Sequence, residues 1–88
     1  SELDIYRDKI NSIDNELVRL LNERMNLSIE IGNYKKSKNM KVFDKEREEF
    51  LLNRLINLNG EIKNNKIDEE FIRKLWDEIM NFSKSLQT

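Results

Sequence analysis

Two cations share one face of the first part of the chain with no acid placed to pair with either. Arg24 has Leu20, Leu21, Leu27 and Ser28 at the i±3 and i±4 positions, so no carboxylate on its own helix can reach it. Lys35 follows eleven residues later, about three turns, which brings it within about 20° of Arg24 around the helix. It too lacks an acid at those spacings. Two such donors suit a compact anion. Plainer readings stay open for each: Arg24 snorkelling to the edge of a seam or pairing with an acid on another helix, Lys35 complementing a helix C-terminus.

More polar residues fall where apolar ones are expected. Arg7 lies beside the same stripe near the start of the chain, with Asp4 at i−3 as a local partner for a surface ion pair. Arg47 and Glu48 share the opening turn of a second helix, and Glu48 continues the stripe of Leu51, Leu52 and Leu55. In the third helix the stripe Ile72, Trp76 and Ile79 runs on into Ser83 and Gln87. A first-turn glutamate can serve the helix dipole alone, and polar residues at a helix end can mean only that the core has run out. Three helices with polar groups on their apolar faces, cations in excess, also have one common explanation: a small pocket for a multiply anionic, oxygen-rich ligand.

The chain contains no histidine and no cysteine, which removes the commonest acid–base group, the thiolate nucleophile and the usual zinc ligands. An enzyme built from these 88 residues is expected to need little proton transfer near neutral pH. A net charge of −1 argues against nucleic-acid binding, and no apolar run is long enough to span a bilayer. The absence of cysteine is compatible with a cytoplasmic protein, which is the expectation here. The Ser-Glu-Leu start suggests a processed, tagged or excised piece of something longer.

The elements that position these residues are helical. There is no proline, and charged and apolar residues each make up 38% of the chain at helical spacing, an all-α composition for a single domain over 1–88. The first helix is expected over about 2–38, capped by Ser1 with Asp4 in a capping box. Its stripe is Leu3, Tyr6, Ile10, Ile13, Leu17, Leu20, Arg24, Leu27, Ile31 and Tyr34, with Gly32 as a point of close backbone approach. Residues 37–43 read as a loop. A second helix over about 44–59 follows, starting at Asp44 and ending in a left-handed cap at Gly60. A third over about 68–87 opens on Asp68, Glu69 and Glu70. The first helix would be about 55 Å long, against a diameter of about 30 Å for a compact domain of this size. Its own chain cannot cover such a stripe, so the expected fold is three helices per chain in an intertwined homodimeric bundle, with a larger antiparallel coiled coil as the alternative. An antiparallel partner would bring Arg7 of one chain near Arg24 of the other.

The assembled residues resemble the all-α class of chorismate mutases. The similarity lies in Tyr6-Arg7-Asp8-Lys9-Ile10-Asn11-Ser12-Ile13-Asp14, in Leu20-Leu21-Asn22-Glu23-Arg24 and in Glu30-Ile31-Gly32-Asn33-Tyr34-Lys35. It continues through Val42-Phe43-Asp44-Lys45-Glu46-Arg47-Glu48 to Ser83 and Gln87, covers nearly the whole chain, and has no gap between Arg7 and Glu48. The resemblance implies rearrangement of chorismate to prephenate on the route to phenylalanine and tyrosine, in a homodimer whose long helix crosses between two equivalent sites. It implies that Arg7 reaches in from the partner chain, that Arg24 and Arg47 bind substrate carboxylates with Ser83 assisting, and that Glu48, with Asp44 beside it, holds the ring hydroxyl. Lys35 and Gln87 would donate to the ether oxygen. No cofactor or metal is implied.

That reaction fits the missing histidine. One C–O bond breaks as one C–C bond forms, with no proton moved and no covalent intermediate, so catalysis can come from holding the reactive conformer and stabilising growing charge on the ether oxygen. An isochorismate pyruvate lyase of the same fold, and a catalytically silent dimerisation or regulatory module, are the alternatives. The Glu48 position favours the mutase over the lyase, and the set of unpaired cations argues against a silent module. The connection around 59–66 is slightly longer than in the family pattern, and Gln87, one residue from the end, is expected in a turn liable to fray.

Overall fold

The computed structural model describes residues Ser1–Thr88 as three helices and no strands. Helix α1 spans Glu2–Ser37, α2 Lys45–Glu61 and α3 Glu69–Leu86. No helix is long and apolar enough to cross a membrane.

Each helix begins where a side chain can satisfy a free backbone N–H. Ser1 caps α1 and Asp4 completes the capping box; Asp44 Oδ1 accepts from the Arg47 N–H at 3.0 Å, and Asp68 Oδ1 from the Phe71 N–H at 2.9 Å. Helix α1 ends through Asn39, whose φ of 55° turns the chain so that the Met40 N–H returns to the Lys35 carbonyl at 2.8 Å.

Helix α2 ends differently from the expectation. Gly60 lies inside it, Glu61 is its last residue, and Ile62 follows in extended conformation. The left-handed residue of this connection is Asn64, with φ 61°, while Asn59 and Asn65 bind backbone carbonyls across the turn. Side-chain amides close the loop, so no glycine cap is needed.

Helix α3 is the hub: it packs on both α1 and α2, which do not pack on each other. Ser28 meets Ser83 and Gly32 meets Gln87, so α3 runs parallel to the C-terminal half of α1; Glu48 meets Lys84, so it runs antiparallel to α2. A cleft between α1 and α2, floored by α3, follows from that arrangement.

The chain buries few apolar side chains. Only Ile72, Ile79 and Met80 are buried, all on α3. Along the first half of α1, Leu3, Tyr6, Ile10, Ile13, Leu17 and Leu20 are all about half exposed or more, and the molecule is 56 Å long but 24 and 17 Å across. The stripe beyond the reach of α3 has no cover within the chain.

Candidate active site

The cleft between α1 and α2 encloses a cavity of about 470 Å³, within the range of small-molecule sites. Helix α1 contributes Arg24, Ser28 and Lys35; the opening of α2 contributes Asp44, Arg47 and Glu48; α3 contributes Ser83, Lys84 and Gln87. Leu27, Ile31, Val42, Leu51 and Met80 form its apolar parts. Of the eight residues singled out from sequence, seven line this one cavity. The eighth, Arg7, does not: it is exposed, seventeen residues before Arg24, or about 25 Å along the helix.

Arg24 is half-buried with no carboxylate within ion-pairing distance. Burial pushes its guanidinium below the usual range, and the like charge of Arg47 adds to the shift. An anion in the cleft would relieve both. Lys35 Nζ donates to the Val42 carbonyl at 2.9 Å, which ties the end of α1 to the following loop and aims the ammonium. An ammonium has three donors, so two remain for a ligand.

On the opposite wall Asp44 spends one oxygen on its cap. Glu48 is paired with Lys84, Oε2 to Nζ 3.0 Å, both side chains about one quarter exposed. The same ammonium sits 4.6 Å from the centre of the Phe43 ring.

The floor carries buried hydroxyls. Ser28 and Ser83 share a short hydrogen bond, and Ser28 Oγ also donates to the Arg24 carbonyl at 3.2 Å. Gln87 Nε2 donates to Ser83 Oγ at 3.4 Å, while Gln87 Oε1 is buried with no partner. Gln87 is the C-cap of α3, in its closing turn; it is half-buried, and its Cα rests against Gly32. The close approach expected at Gly32 comes from this residue.

Sequence reasoning missed three polar lining residues. Arg54 stands seven residues, two turns, after Arg47, and the spacing that linked Arg24 with Lys35 would have found it. Ser28 is one turn after Arg24 and looks like an ordinary small residue until Ser83 is placed against it. Lys84 lies off the α3 stripe, and only the packing of α2 on α3 reveals its partner. With these included, the cavity wall holds five cations, Arg24, Lys35, Arg47, Arg54 and Lys84, against Asp44 and Glu48. Such a wall favours an anionic ligand over a neutral or cationic one.

The family profile described as Chorismate mutase type II matches residues 6–88, almost the entire chain and all the lining residues. The chain belongs to the chorismate mutase type II family. Among curated relatives, a chorismate mutase of Methanocaldococcus jannaschii is 30% identical over 81 residues, covering 92% of this chain and 79% of that protein. A bifunctional chorismate mutase/prephenate dehydratase of Aquifex aeolicus is 34% identical over 86 residues, or 98% of this chain. The chain spans only 24% of that relative's length. A solved structure, a conserved hypothetical protein from Pyrococcus furiosus, superposes with a TM-score of 0.77 at 31% identity, covering 100% of this chain and 97% of that one. The family match thus reaches all three helices, missing only the first turn of α1.

Proposed function

We propose that residues 1–88 form a single chorismate mutase domain that rearranges chorismate to prephenate, an isomerase reaction of aromatic amino acid biosynthesis, in the cytoplasm and without a cofactor. The observation that carries this reading is the convergence of Arg24, Lys35, Arg47, Glu48, Ser83 and Gln87 on one cleft in a chain of this family.

Each group has a task that needs no proton transfer. Arg24 and Arg47, with Ser83, hold the substrate carboxylates and draw the flexible enolpyruvyl arm over the ring. Glu48, with Asp44 beside it, accepts the ring hydroxyl. Lys35 and the amide N–H of Gln87 donate to the ether oxygen, where negative charge grows as the C–O bond lengthens. Lys35 is held by Val42 and Gln87 by Ser83, so these donors are fixed before substrate arrives and little reorganisation remains.

The functional unit is an intertwined homodimer. A chain with three buried apolar side chains and a 36-residue helix whose first half has no cover needs a second copy to bury its stripe. Antiparallel pairing of two such helices carries Arg7 of each chain to the cleft of the other, where it completes the set of cations.

Incubating the chain with chorismate, and separately with isochorismate, tests the reading directly. Prephenate formed from chorismate supports it. Pyruvate from isochorismate without prephenate would establish the lyase, and neither product would leave a silent helical module.

A further inference from the structure

The cleft holds five cations and only one carboxylate not engaged in capping a helix, and that carboxylate is already paired. Glu48 sits one residue from Arg47 and shares the cavity wall with Arg24 and Arg54. Without Lys84, the guanidiniums left on that wall to draw it are those of Arg24 and Arg54, from other turns, rather than that of its helix neighbour Arg47. Such a pairing would occupy the groups meant for substrate and turn Glu48 away from the ring. It does not happen. Glu48 Oε2 is held at 3.0 Å by Lys84, which reaches across from α3, and none of the three arginines has a carboxylate within ion-pairing distance.

Lys84 is itself held in place. Its ammonium lies 4.6 Å from the centre of the Phe43 ring, in the segment between α1 and α2. The aromatic ring and the carboxylate both hold the cation, with both members of the ion pair about one quarter exposed. Only one oxygen of Glu48 is used, so the second stays free to accept a hydrogen bond from a hydroxyl.

We propose that Lys84 is a positioning residue that sequesters Glu48 from the arginines, keeping the cations free for substrate carboxylates and the second Glu48 oxygen free for the ring hydroxyl. This rests on the mutase reading of the same site. Because ground state and transition state need these contacts alike, the loss falls on KM more than on kcat.

The test is a double-mutant cycle on the full chain, with steady-state kinetics on chorismate and circular dichroism to verify the fold. Lys84→Met raises KM about tenfold with kcat changed less than about threefold, and Lys84→Arg restores most of the loss. In a Glu48→Gln background the Lys84→Met change has no further effect on KM, because no carboxylate remains to be held. A purely structural role over Phe43 would instead keep its full cost in that background, and this outcome overturns the proposal. So does a Lys84→Met variant with unchanged KM in a chain whose Glu48→Gln variant is impaired; if Lys84→Met does not fold, Lys84→Gln, which also removes the charge, alone and in the Glu48→Gln background supplies the same comparison. A wild-type chain inert towards chorismate would overturn the mutase reading itself, a result distinct from both.

Discussion

Gln87 rests on Gly32 so closely that a Cβ added to the glycine would come within 2.9 Å of the Gln87 Cα. The contact is backbone against backbone between α1 and the end of α3, and neither partner can yield by turning a side chain. It sets the position from which Gln87 reaches Ser83 and the cleft. Gly32→Ala is therefore expected to push the last turn of α3 away while the rest of the helical structure stays. Turnover should fall about 100-fold, with kcat affected more than KM, if the displaced group donates to the ether oxygen in the transition state as proposed. Helix content by circular dichroism, read beside the kinetics, checks it: unchanged kcat would mean that Gln87 has no part in the chemistry.

Arg24 and Lys35 carry the charge argument. Arg24→Ala and Lys35→Ala are each expected to lower kcat/KM by about 10²–10⁴-fold, the scale set by removing a preorganised charge from a catalytic site. Arg24→Ala should leave the thermal midpoint of the ligand-free protein unchanged or higher, because the guanidinium is held half-buried against Arg47 with no counter-charge. Thermal melts and initial rates on the same samples separate the effects. A variant that lost stability but kept its rate would make Arg24 a structural residue.

The pH dependence follows from what the chain lacks. With no histidine and no cysteine, and a reaction that transfers no proton, kcat should be flat between about pH 6 and 9. The shift at Arg24 adds no slope there. Its folded pKa is depressed, so the guanidinium's charge opposes folding at every pH below that value, and the penalty is relieved only at strongly alkaline pH. Salt should act instead, raising KM as ionic strength screens a dicarboxylate from the cationic cleft. A bell-shaped profile centred near neutrality would contradict the pericyclic account.

Much of this arrangement is legible in the residues, and the parts that are not have identifiable causes. The unbroken stripe from Leu3 to Tyr34 reports α1, because one helix period explains every position. Ser1, Asp44 and Asp68 report the helix starts, because a cap is a local bond between a side chain and a backbone three residues on. The lining residues Arg24, Lys35 and Glu48 betray themselves as polar groups on apolar faces. Gly60 misleads because a glycine permits a left-handed turn without requiring one; Asn64 takes that role, helped by amides whose partners lie across the loop. Lys84 is invisible in sequence for the opposite reason: its meaning lies wholly in which helix packs beside it. Gly32 announces a close approach, but that Gln87 makes it depends on how α3 packs on α1, which no local pattern reports.

The central claim is a cleft completed by two chains that rearranges chorismate, and one mixing experiment tests both halves. Arg7→Ala and Arg24→Ala homodimers should each be nearly inactive. After unfolding and refolding together, about half the dimers are mixed, and each mixed dimer has one intact site and one carrying both changes. The mixture is expected to recover about one quarter of the wild-type rate of prephenate formation. A mixture no more active than its components, or an Arg7→Ala protein with the full wild-type rate by itself, would contradict it.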